Sequence, residues 1–199
     1  MNDDYQVFVN LVKDQFTYGG KKYAHSKGKE ATDVLFDKYG KNWLFGTIDK
    51  YTFRFKTCKR EKDLLKIACY QYITWLKRGF HIDNKRAVAI DTNVETKIGE
   101  FDNFIKRIDL PDEFTAKKSD IIHSLPGQMG EGFAFDERKL REMISERLRD
   151  CGNNKWEKIE EHTLQRIFKI CYAIWVRNFK DKAGEDADTF NEDKKKNGK

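Results

Sequence analysis

The chain has 199 residues, of which 39% are apolar, 14% aromatic and 36% charged, with only two prolines. Apolar content at that level fills a real core and excludes wholesale disorder, while high charge with little proline favours helices whose outer faces carry Lys and Glu. The net charge of +6 is uneven: residues 38–86 hold thirteen Lys/Arg against four Asp/Glu, and residues 87–135 hold five against nine.

In chain order, Tyr5, Phe8, Val9, Val12 and Phe16 recur at helical spacing and predict an amphipathic helix over 4–16, broken at Gly19-Gly20. A second helix is expected over 30–39, with Ala31, Val34, Leu35 and Tyr39 inward and Gly40 as its stop. A short third segment carries Trp43, Leu44 and Ile48. A long helix follows over 60–79, where Leu64, Leu65, Ala68, Cys69, Tyr72, Ile73, Trp75 and Leu76 form a broad apolar face. Ile98, Phe101, Ile105 and Ile108 suit a further helix over 97–110. The stretch Leu125-Pro-Gly-Gln-Met-Gly-Glu-Gly132 is the clearest loop and the preferred domain boundary. Asp136 is expected to cap a helix reaching Cys151. After a short segment at Trp156 and Ile159, Thr163 is expected to cap a last helix with Leu164, Phe168, Cys171, Trp175 and Phe179 inward. Beyond Ala183 the apolar pattern stops, and 185–199 reads as a disordered polar tail. The expected division is a basic N-terminal unit over 1–86, an acidic connector over 87–135, a C-terminal three-helix unit over 136–182 and the tail over 183–199.

Two stretches are alike. Leu35-Phe-Asp-Lys-Tyr-Gly40-Lys-Asn-Trp43, followed by Ile48 and Thr52, matches Leu148-Arg-Asp-Cys-Gly152-Asn-Asn-Lys-Trp156, followed by Ile159 and Thr163. Each then enters a helix with Cys-Tyr, Trp, Arg and Phe: Cys69-Tyr70, Trp75, Arg78 and Phe80 against Cys171-Tyr172, Trp175, Arg177 and Phe179. A helix ending at Gly, a Trp opening a short second helix, and a polar turn into a third helix at Thr is the layout of a helix-turn-helix unit. Residues 30–54, with Leu35, Tyr39-Gly40, Asn42-Trp43, Ile48 and Arg54, resemble the Myb/SANT and homeobox-like families. One Trp is matched in each unit, where Myb repeats carry three. The resemblance implies an all-α fold of two homeobox/Myb-like helix-turn-helix units joined by an acidic helical connector. In its narrower form the chain looks like the accessory DNA-binding subunits of the ciliate DNA adenine methyltransferase complex. It lacks the Asp-Pro-Pro-Trp motif of the catalytic chains, so only a helper's role is implied.

The cations Arg54, Lys56, Lys59, Arg60 and Lys62 would neutralise phosphates and release counterions, giving affinity without sequence choice; a solvated loop is the plain alternative. On the last helix Arg166, Lys169, Ala173, Arg177 and Lys180 follow helical spacing opposite the apolar stripe, where a small Ala among cations would let the helix approach a groove. An ordinary solvated face is the alternative there. Tyr70, Tyr72, Trp75 and Tyr172 sit in apolar stripes and read as core, and Trp43 and Trp156 read as core anchors. The Gly127-Gln-Met-Gly130 run lacks the basic flanks of a KH loop. Cys58, Cys69, Cys151 and Cys171 have no C-x-x-C spacing and read as free thiols. His25, His81, His123 and His162 are scattered, and no phosphate loop, nucleophile elbow or dinucleotide fingerprint occurs. No catalytic residue, metal or cofactor is expected. No apolar run approaches the roughly 20 residues of a membrane span, and the acidic Met1-Asn2-Asp3-Asp4 start is unlike a signal peptide, so the chain is expected inside the cell. The expected function is low-specificity binding of duplex DNA by a non-catalytic subunit of a nuclear complex with other protein subunits. The alternative is a helical protein-binding scaffold whose basic block meets an acidic partner.

Overall fold

The structure, a computed structural model, describes residues 3–22, 31–80, 94–108, 138, 142 and 156–182. Five helices and no strand lie among the described residues: α1 (Asp3–Lys22), α2 (Ala31–Cys58), α3 (Glu61–Lys77), α4 (Val94–Lys106) and α5 (Glu161–Asn178), with short 3-10 turns at Trp156–Lys158 and Lys180–Lys182. The expected all-helical character is found among the described residues. The loop at 125–132 and the tail lie outside the described residues, as does the helix expected from Asp136 to Cys151 except for Arg138 and Glu142, which are helical and 3.7 Å apart.

Two boundaries differ instructively from the sequence expectation. α1 runs on through Gly19-Gly20 to Lys22, since a helical Gly costs only about 1 kcal/mol relative to Ala and does not by itself end a helix. α2 has its break at Gly40, whose φ of 63° and ψ of −153° only a residue without Cβ adopts easily, and is then helical from 41 to 58. The short helix at Trp43 and the turn before Thr52 are therefore replaced by one long helix. Its inward stripe is Leu44, Ile48, Tyr51 and Phe55, all buried. The threonines that suggested a turn sit mid-helix and return their hydroxyls to the preceding turn: Thr47 donates to the Trp43 carbonyl (2.9 Å) and Thr52 to that of Ile48 (2.9 Å).

α3 and α5 form the centre and run antiparallel, fixed by two reciprocal hydrogen bonds. The Trp75 indole N–H donates to Glu161 Oε1 (2.6 Å), and the Trp175 indole N–H donates to Glu61 Oε1 (2.6 Å). Each glutamate is the first residue of its helix, each tryptophan lies near the other end, and both indoles are buried at 0% and 1% exposure. α5 begins at Glu161 with Glu160 as its N-cap, so Thr163 lies inside the first turn and is not the cap. Residues 170–176 of α5 are buried without exception.

The other helices wrap this pair. α1 lies alongside it with Tyr5 edge-on to Tyr172 (5.1 Å), Phe8 against Phe168 (5.4 Å) and Trp175 (5.7 Å), and Phe16 against Tyr72 (5.4 Å). α4 adds Phe101 to Tyr72 (5.0 Å) and Phe104 to both Trp75 and Phe168 (5.5 Å each). One core thus draws on helices from both sides of the expected connector. Trp43 and Trp156 are only partly buried at its edge: Trp156 meets Phe36 and Phe45, and Trp43 meets Tyr70. Cys69 and Cys171 are buried free thiols, whereas Cys58 is exposed. Burial pushes the Cys171 thiol well above its usual range.

Three helices also meet at a buried carboxylate. Asp33 of α2, 2% exposed, binds Lys77 of α3 (2.8 Å) and Lys97 of α4 (2.6 Å). Burial raises its carboxyl, but hydrogen bonds and charge from the two ammonium groups outweigh that and hold it below the usual carboxylate value.

Two outcomes follow from this packing. Trp75→Ala and Trp175→Ala should each cost about 3–5 kcal/mol, and Trp43→Ala and Trp156→Ala clearly less, as read from urea midpoints at constant slope. Asp33→Asn should cost about 3 kcal/mol at neutral pH by removing the buried negative charge that Lys77 and Lys97 share. Because the folded pKa of Asp33 is depressed, its contribution is complete above the unfolded value of about 3.9 and is lost as pH falls through the folded one. The stability gap between wild type and Asp33→Asn should therefore narrow on acidification; a gap that widens would exclude the assignment.

Candidate nucleic-acid interface

The basic block folds into a helical hairpin. α2 closes with the Lys59 N–H donating to the Phe55 carbonyl (2.9 Å), Lys59 taking a left-handed φ of 51°. Arg60 is extended and caps α3 through its backbone, its carbonyl accepting from the Asp63 N–H (3.1 Å). Two residues thus reverse the chain, and α3 returns along α2 with Tyr70 stacked on Tyr51 (5.8 Å) and edge-on to Trp43 (6.2 Å).

At this corner the acids turn inward and the cations outward. Glu61 is engaged by the Trp175 indole, and Asp63, 1% exposed, lies beneath Arg54 (3.3 Å) and Arg60 (3.9 Å). Both acids occupy the first turn of α3, where the helix dipole favours negative charge. Their presence there offsets the cost of placing cations around a helix N-terminus. Lys56, Lys59, Arg60 and Lys62 are exposed, and Arg54 is half-exposed. All five residues singled out from the block therefore stand at one end of the molecule, two of them sharing Asp63.

Two further cations join them. Lys50 and Lys66 stand over the ring of Tyr51 at 4.6 and 4.7 Å, with the Arg54 guanidinium at 5.7 Å, and Lys66 also donates to the Tyr51 hydroxyl (3.2 Å). Each cation–π contact contributes roughly 0.5–1 kcal/mol at an exposed site and fixes where the charge stands. Spacing carried a signal for them once α2 is seen as continuous, since Lys50, Arg54 and Lys66 converge on one ring only in a hairpin.

The second set separates. Arg177 and Lys180 lie at the basic end, where Trp175 reaches Glu61 and Phe179 reaches Phe55 (6.4 Å). Lys180 is ion-paired with Asp4, which raises its pKa. Arg166 lies roughly 16 Å from Arg177 along the helix axis at 1.5 Å per residue. Arg166 and Lys169 are half-buried, and Ala173 is fully buried, so it is not the open small residue of an exposed basic face. The reason is the central position of α5, covered nearly all round.

Among the described residues no three His, Cys, Asp or Glu side chains gather as a metal site would require, and no helix is long and apolar enough to cross a membrane. His162 is exposed and lies 3.2 Å from Glu160. Comparison with known proteins finds no matching family model, no matching curated protein and no matching solved structure.

Proposed function

We propose that the chain binds nucleic acid by its phosphate backbone at the α2–α3 corner, as a non-catalytic, DNA-binding subunit of a larger assembly. The observation that carries this reading is the sorting of charge at the corner: Glu61 and Asp63 are buried, while Lys56, Lys59, Arg60 and Lys62 face solvent. Such a surface attracts a polyanion and releases its counterions without reading bases. The homeobox-like reading requires a turn between Trp43 and Thr52, where α2 is helical, so the proposal rests on the hairpin corner and not on a recognition helix. The resemblance to accessory subunits of DNA adenine methyltransferase complexes gives the partner search a direction, and with it a nuclear location.

The lysines are the residues to change, because Arg54 and Arg60 also serve Asp63. Lys56→Gln, Lys59→Gln and Lys62→Gln together should preserve the fold, all three being exposed. Duplex affinity should fall similarly on unrelated sequences, and the slope of log affinity against log salt should flatten by up to about three units. Fluorescence anisotropy over a salt series measures both. Absence of duplex binding by the wild type at low salt would turn the reading to a scaffold for an acidic protein partner.

A further inference from the structure

Phe53 lies outside the core. It is 67% exposed, while Phe45 and Phe55 of the same helix are buried. An aromatic residue at a solvated helical position is a weaker helix former than Lys or Glu, and its ring gains little from burial. The surroundings are specific. Lys50 and Lys56 stand one turn before and one turn after it on the same exposed face, and Arg54 follows it. Asp49 is the acid on this face, one turn back beside Lys50. Two turns back the stripe carries Gly46, where a Cβ would meet nothing within 4 Å, so the face is open along its length.

We infer that Phe53, between Lys50 and Lys56, is a stacking site for an unpaired base of single-stranded nucleic acid. The inference rests on the reading that the neighbouring corner holds phosphates, and it names the class of strand. An aromatic face flanked by cations three residues away on either side, about 4.5 Å along the axis, matches a ligand that alternates flat bases with phosphates. A duplex keeps its base faces stacked inside, so a ring on a rigid helix finds a partner only where bases are unpaired. The charge complementarity singles out this occupant from a neutral apolar peptide, which would leave the lysines without counterpart.

Three labelled probes test it by anisotropy: a short oligothymidylate, an abasic strand of equal length, and a duplex of that length. The wild type should prefer the oligothymidylate to the abasic strand. Phe53→Ala should weaken oligothymidylate binding about tenfold and leave the other two nearly unchanged, since stacking contributes only where a base is present. Phe53→Trp should restore the preference, with indole fluorescence quenched by the oligothymidylate and not by the abasic strand. Equal wild-type affinity for the two single strands, or an equal loss on all three probes in Phe53→Ala, overturns the stacking site while leaving backbone binding standing. Wild type that binds none of the three overturns both. Loss in Phe53→Ala of binding to polyglutamate, with oligothymidylate binding intact, would assign the face to an acidic protein instead.

Discussion

The antiparallel clasp between α3 and α5 is the interaction on which the rest of the molecule depends. A buried indole N–H can only donate, and without an acceptor it costs the full desolvation of that group. Trp75 and Trp175 each find a carboxylate at the first position of the opposite helix, where unpaired backbone N–H groups and the helix dipole already favour negative charge. Because each helix supplies one donor and one acceptor, sliding either helix by a turn breaks both bonds at once. The register of the central pair is fixed at its two ends, and α1, α2 and α4 pack on a surface so defined. The two ends are unequal. Glu161 also faces Arg107 (3.5 Å), whose guanidinium lies over Trp75, while Glu61 is sunk at the basic corner.

The clasp also sets the proper register of the internal likeness. Glu61, Leu64, Ile67, Tyr72 and Trp75 correspond to Glu161, Leu164, Ile167, Tyr172 and Trp175, one pair after another around an approximate two-fold relation. All but the glutamates are fully buried or nearly so in both helices. Aligning Cys69-Tyr70 with Cys171-Tyr172 is off by two residues: Tyr70 lies half-buried against Tyr51, whereas Tyr172 is a core residue whose hydroxyl is pushed up to about 12 by burial and then by Asp4. The identity of adjacent residues was a poorer guide than the spacing of the buried ones.

What was legible in the sequence follows the range of the forces involved. The apolar stripes of α3 and α5 named Leu64, Ala68, Tyr72, Trp75, Leu164, Phe168 and Cys171 correctly, because a 3.6-residue period is a local property. The turn expected before Thr52 is absent from α2, where Thr47 and Thr52 bond back to the preceding turn and Leu44, Ile48, Tyr51 and Phe55 are buried. Phe104, which touches Trp75 and Phe168, adds little to a pattern already made by Ile98, Phe101, Ile105 and Ile108. Asp33, Lys77 and Lys97 come from three helices, and no local spacing announces them. At the candidate interface the basic block was visible as composition, but Lys50, Lys66 and the exposure of Phe53 depended on how the hairpin closes.

Core and surface are linked through the same two acids. In the sequence Glu61 and Asp63 dilute the basic block; in the fold they are withdrawn from its surface, Glu61 to hold the Trp175 indole and Asp63 to seat Arg54 and Arg60. The corner therefore presents its cations to solvent with the two carboxylates behind them; Asp63 Oδ1 pairs with Arg54 (3.3 Å), while Oδ2 is buried without a hydrogen bond, 3.9 Å from Arg60 Nε. Turning Glu61 outward would break the bond to the Trp175 indole, and turning Asp63 outward would break its contact with Arg54. At this two-residue turn the end of α2, the start of α3 and the end of α5 meet, so that Glu61 reaches the Trp175 indole, Asp63 reaches Arg54, and Lys56, Lys59 and Lys62 stay outside.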